Sequence, residues 1–149
     1  MPSATITART ARSPLRPLHS LLLSFPVALF PCAFLTDVTY LKTSQIQWTN
    51  FSAWLIVGAL IPGGLALLWD LLVLWRGRAA RRPGRLASPL LLAAAWIAGL
   101  LNAFQHSHDG WASVGMPGLV LSAVSAALAL AAGWTAWSRS GDTAVGAVR

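Results

Sequence analysis

The chain has 149 residues, of which 56% are hydrophobic and 10% charged. An ordinary soluble domain carries about 25% charged residues, and so few charges do not cover the surface of a soluble protein of this size; the composition excludes that class and fits a chain whose outer solvent is lipid. The net charge of +7 would point to nucleic acid in a soluble chain, but the basic residues gather at the ends of apolar runs, so the expected partner is a lipid bilayer and not nucleic acid.

Four stretches reach the roughly 20 apolar residues that a helix needs to cross a bilayer core. The first is "HSLLLSFPVALFPCAFLT", residues 19–36, and the second is "AWLIVGALIPGGLALLWDLLVLW", 53–75. The third is "LASPLLLAAAWIAGLLNAF", 86–104, and the fourth is "PGLVLSAVSAALALAAGWTAW", 117–137. None alternates with period two, which argues against a β-barrel. In lipid every backbone group must be satisfied internally, which leaves helices. The expected fold is all-α: an integral-membrane four-helix bundle over residues 18–138, with helices at about 19–40, 52–76, 86–105 and 116–138. Residues 1–17 and 139–149 are expected as polar tails.

The first run follows arginines, as in a signal peptide, but it is long, contains Pro26 and Pro31, and has no small-residue cleavage site after it, so it is expected to remain as a helix. Cys32 has no partner for a disulfide and is expected to pack as a small apolar side chain. Pro62 in the second run is expected to kink its helix. Trp48, Trp54, Trp69, Trp75, Trp134 and Trp137 mark helix ends at headgroup level, and Trp96 lies mid-helix as a packing residue. On the fourth helix Gly118, Ser122 and Ala126 recur every four residues, as do Ala129 and Gly133, a pattern that lets helix backbones approach closely.

Orientation follows from Lys and Arg. If all four runs span, Lys42 alone falls on one side; the other ten of the 11 basic residues share the opposite side. The positive-inside rule then places both termini in the cytoplasm of a bacterial inner membrane.

Ionisable residues within spans are functional candidates. Asp70, in "LLWDLL", reads either as a proton- or ligand-pairing carboxylate or as an interfacial partner of His19 or an arginine. His19 starts the first helix on the same side. Asp37 ends that helix on the opposite side, about 27 Å along the axis from His19, and reads either as a solvated interfacial residue or as a partner for the outer histidines. Asn102 is expected to hydrogen-bond across to a neighbouring helix, and Ser88, Ser122 and Ser125 to bond their own helix backbone. In "FQHSHDGW", residues 104–111, His106 and His108 with Asp109 or Asp37 make a candidate metal set, but His-x-His alone is a weak motif; a polar loop is the competing expectation. Haem between two histidines of one subunit conflicts with the membrane thickness separating His19 from His106 and His108, although two subunits each supplying one histidine would satisfy it. No nucleotide loop, nucleophile elbow or haem-attachment motif is visible, so no enzymatic activity is expected.

The segment "RPLHSLLLSFPVALFPCAFLTDVTYLKT", 16–43, resembles the opening of a family of predicted bacterial membrane proteins, the domain of unknown function DUF2231. Pro17, Leu18, His19, Phe25, Pro26 and Asp37 carry the likeness there; His106, Ser107, Asp109, Gly110 and Trp111 carry it before the last helix, and Asp70 fits a recurrent acidic position. Arg16, Ser20 and Ser88 depart from it, at positions where the family usually has histidine, proline and histidine. The resemblance implies a membrane protein of unestablished activity; relatives sometimes joined to Rieske-type iron–sulfur domains imply redox surroundings. Three functions follow as expectations: a membrane subunit or scaffold, alone as a homo-oligomer or beside another membrane or redox protein; haem- or quinone-linked electron transfer through His19 and Asp70; and proton-coupled transport of a small solute through Asp70 and Asp37.

Overall fold

A computed structural model describes residues 15–76, 86–107 and 114–145, with side chains described within 17–138. It contains four helices: α1 (Leu15–Thr43), α2 (Ile46–Trp75), α3 (Ala87–His106) and α4 (Met116–Val145). All four are long and apolar enough to cross a membrane, and no strand occurs among the described residues. The 20 residues of α3 span about 30 Å, the thickness of a bilayer core. The 30 residues of α2 reach about 45 Å, enough to cross the core and the headgroups or to tilt.

Helix ends depart from the sequence expectation where polar residues continue a helix that hydropathy had closed. α1 runs on to Thr43 and stops because Ser44 takes a left-handed conformation, φ 55°. The Ser44 N–H then donates to Tyr40 O at 2.7 Å, closing the last turn. Only Ser44 and Gln45 separate α1 from α2, so α2 begins at Ile46 rather than 52 and the pair is antiparallel. α2 continues as helix through Pro62, and α4 extends past 138 to Val145.

Each helix packs on its two neighbours in a closed ring, with α4 returning to α1, so that α1 and α3 face each other across a diagonal. The size distribution is inverted relative to a soluble bundle. The core is rich in small side chains: Ala33, Ala59, Ala66, Ala95, Ala129 and Ala132 are each 1% exposed or less. Large side chains such as Leu35, Ile61, Leu90 and Phe104 point outward. This is the arrangement a lipid solvent favours, since Leu gains nothing by leaving hydrocarbon and helices instead associate through close contact and interhelical hydrogen bonds. Cys32 lies on the outer face rather than in the packing. Trp54, Trp75, Trp134 and Trp137 are exposed at the two ends of the bundle. Trp96 reaches from α3 across Gly63 and Gly64 of α2, where its Nε1 donates to Leu60 O at 2.9 Å.

Two apolar layers fill the bundle: Phe30, Ala33, Ile56, Ala59, Ala95, Ala126 and Ala129 at mid-height, and Leu23, Ala66, Leu92 and Ala132 toward the end that holds the start of α1. Phe30 is the large ring buried within the middle layer, against which Phe34 packs from outside, and Phe30 lies against Gly99. A Cβ at Gly99 would sit 2.5 Å from Phe30 Cζ and 3.4 Å from Leu60 Cδ2. Gly99→Ala is therefore expected to cost about 1–3 kcal/mol by overpacking. Gly115→Ala, whose Cβ would meet Pro117 Cδ at 3.5 Å and nothing nearer among the described residues, is expected to leave stability unchanged. Thermal unfolding of both variants in the same detergent checks the contrast.

Candidate functional site

The end of the bundle holding the α1–α2 turn has a polar core. Asp37 of α1, Thr49 and Ser52 of α2, Asn102 of α3 and Ser122 of α4 are all buried there. His106, the last residue of α3, joins them with its side chain 1% exposed. Their placement follows from helical spacing. Asn102 and His106 are one turn apart on one face of α3, and Asp37 continues the α1 face that buries Phe30 and Ala33.

The hydrogen bonds form one chain. His106 Nδ1 lies 2.9 Å from the Asn102 carbonyl, which only accepts, so Nδ1 carries a hydrogen and donates. His106 Nε2 lies 2.9 Å from Asp37 Oδ1, a contact across the α1–α3 diagonal. Ser122 Oγ donates to the other carboxylate oxygen, Asp37 Oδ2. Since that spends the hydroxyl hydrogen, Ser122 accepts from Asn102 Nδ2 at 2.6 Å, which fixes the orientation of the amide. Asn102 Oδ1 is left buried without a partner among the described residues.

The proton count of the pair follows from these bonds. With Nδ1–H committed, a proton must lie between Nε2 and Oδ1, or a lone pair would face a carboxylate in a site sealed from water. Imidazolium with carboxylate and imidazole with carboxylic acid satisfy this equally and share the same net charge of zero. A buried ionised group without such compensation is costly.

At the opposite end His19 of α1 and Asp70 of α2 meet, with Nε2 and Oδ1 3.0 Å apart and both side chains 21% exposed. His19 Nε2 makes no aligned hydrogen bond, so the contact is a charge–dipole or ion pair on the rim, weaker than the sealed cluster.

Several expectations change. Asp37 is completely buried and not a solvated interfacial residue. His106 belongs to a helix and to the core, not to a polar loop. Ser122 bonds across the bundle to Asp37 instead of to its own helix, and Ser88 likewise donates to Ala132 O of α4 at 3.0 Å. Ser125 does bond its own helix, at Leu121 O, and Asn102 does reach a neighbouring helix. His108 and Asp109 of the candidate metal set lie outside the described residues. Of that set Asp37 and His106 come together, and no group of three His, Cys, Asp or Glu residues converges among the described residues. Both ring nitrogens of His106 are engaged, so it has no lone pair for iron or zinc in this arrangement.

Ser122→Ala would strip a donor from Asp37 Oδ2 and an acceptor from Asn102 Nδ2 at once. Leaving buried polar groups unpaired costs about 1–3 kcal/mol each, so this variant should lose clearly more stability than Ser125→Ala, whose partner is a carbonyl of its own helix. Reversible unfolding in mixed micelles measures the difference; equal losses would contradict the network.

No curated protein and no solved structure matches the chain. A family model described as a predicted membrane protein, DUF2231, matches residues 15–134, a stretch that contains the first three spans, most of the fourth and every member of the buried cluster. The chain thus belongs to the DUF2231 family of predicted membrane proteins.

Proposed function

We propose that the chain is a multi-pass protein of the bacterial cytoplasmic membrane with both termini in the cytoplasm, and that its Asp37–His106 pair carries a proton in proton-coupled transport of a small solute. The orientation is supported by the ten basic residues that share one side against Lys42 alone. The transport reading is carried by one observation: a buried carboxylate–imidazole pair in hydrogen-bond contact, linked to three helices, whose geometry calls for one shared proton. An ion pair that only fastened α1 to α3 would be replaceable by apolar side chains of similar volume without loss. Ionisable pairs inside spans belong instead to proton relays and ligand sites.

A single bundle with a close-packed alanine core offers a solute no path, so the reading includes association, as a homo-oligomer or as the membrane subunit of a partner. A scaffold role by itself loses the support that the small-residue faces had lent it. Gly118, Ser122, Ala126, Ala129 and Gly133 are spent inside the bundle rather than offered to another chain. Haem- or quinone-linked electron transfer gains nothing from His106, whose nitrogens are occupied, or from His19, which faces Asp70 at the other end.

The test is proton movement into vesicles reconstituted with the purified protein and loaded with a pH-sensitive dye. The double variant Asp37→Asn with His106→Gln keeps hydrogen-bonding groups at both positions but has no proton to exchange. Its flux is expected to fall to that of empty vesicles while its helicity and unfolding temperature stay near those of the parent. A folded double variant that moves protons at the parental rate would overturn the reading.

A further inference from the structure

The cluster around Asp37 has more acceptors than donors. Asp37 Oδ1 and Oδ2, Ser122 Oγ and Asn102 Oδ1 are four oxygens from three helices, and Asn102 Oδ1 is buried with no hydrogen-bond partner among the described residues. We propose that these oxygens form a site for a small monovalent cation of the sodium class, which enters by displacing the proton that His106 holds against Asp37. The proposal rests on the proton-coupled reading above and names the ion that the proton exchanges with.

Chemistry selects the class of ion. Carboxylate, hydroxyl and amide oxygens suit hard cations and not soft metals. One carboxylate matches one positive charge, whereas calcium takes 6–8 oxygen ligands, commonly with several carboxylates. Charge balance sets the stoichiometry. The pair with its proton is neutral, and so is the site when a monovalent cation faces Asp37 carboxylate and His106 has become a neutral imidazole. Each cation bound therefore releases one proton, and no net charge is buried in either state.

The fold permits the exchange. Asp37, Asn102 and Ser122 lie within helices, so their backbone positions are fixed. His106 is the last residue of α3, followed by the Ser107 cap, and withdrawal of its ring vacates space beside Asp37 Oδ1. Among the described residues no other charge intrudes from the elements packed here: α2 contributes the hydroxyls of Thr49 and Ser52, α4 contributes Ser122, and α1 carries Tyr40 and the exposed Lys42 beyond Asp37.

The experiment is addition of NaCl to the purified protein in weakly buffered detergent, followed with a pH indicator, with KCl as a second probe and choline chloride as the ionic-strength control. The expected result is release of one proton per chain with NaCl, none with choline chloride, and none from Asp37→Asn. Calorimetric sodium affinity is expected to weaken about tenfold per unit fall in pH, as one-for-one competition with a proton requires. Asn102→Leu keeps the Asp37–His106 proton but removes the free oxygen, and should need far more sodium for the same release. No release, equal release with choline chloride, or pH-independent sodium affinity would overturn the proposal. Proton flux into vesicles that persists equally with sodium or choline as the only cation would overturn it while leaving the proton-coupled reading standing. If Asn102→Leu does not fold, the pH dependence of sodium affinity in the unaltered protein decides the matter.

Discussion

The bundle depends on how closely its helices approach when lipid supplies no hydrophobic drive to bring them together. Outside the membrane, large apolar side chains fill a core because water expels them. Here Leu35, Ile61 and Leu90 face outward, and the core is left to Ala33, Ala59, Ala95, Ala129 and Ala132. Small side chains allow the backbones to close in. That closeness brings Asp37 of α1 within 2.9 Å of His106 of α3 across a diagonal that Leu or Phe pairs would have held open. The polar cluster is thus a consequence of the alanine core as much as a cause of the bundle's shape.

Phe30 separates the polar and apolar parts of this core. Its ring occupies the space left by Gly99, directly beneath the level where Ser52 donates to the Ala33 carbonyl at 3.3 Å and the Asp37 cluster begins. Below it the core is almost wholly apolar as far as Ser88. A continuous polar path from Asp37 to the His19–Asp70 pair along the inside of the bundle is therefore blocked by the middle layer. The Asp37 cluster lies nearest the end of the bundle that holds the α1–α2 turn, and under the proposed function its proton would exchange through that end.

The span count and the all-helical class were legible because they rest on long-range hydropathy, which single polar residues do not disturb. Ring order and size inversion were legible only in part: the Gly118–Ser122–Ala126 spacing marked a packing face but did not say whether another chain or this one covered it. The cluster itself was half legible. Asp37 and the outer histidines fell at the same end, and Asn102 stood out as a lone amide in an apolar run. What the sequence concealed was depth. "TDVTYLKT" and "HSHDGW" both read as water-facing because their charged and polar residues are counted together, yet α1 continues for six residues past Asp37 and α3 extends to His106. Pairing His106 with Asn102 at four-residue spacing on one helical face was the signal available for placing the ring inside.

The two His–carboxylate pairs use the same chemical groups, and α1 takes part in both, giving the histidine at one end and the acid at the other. Their surroundings make them unequal. His19 and Asp70 are each 21% exposed, which leaves their pair an outlet at the rim of the bundle. Asp37 and His106 have no such outlet, and any change in their proton must be matched by another charge or by movement of the ring. The rim pair is suited to fastening α1 to α2, whereas the sealed pair links protonation to the position of a side chain at a helix end. That link between charge and geometry sets the sealed end of the bundle apart from the rim contact at the other.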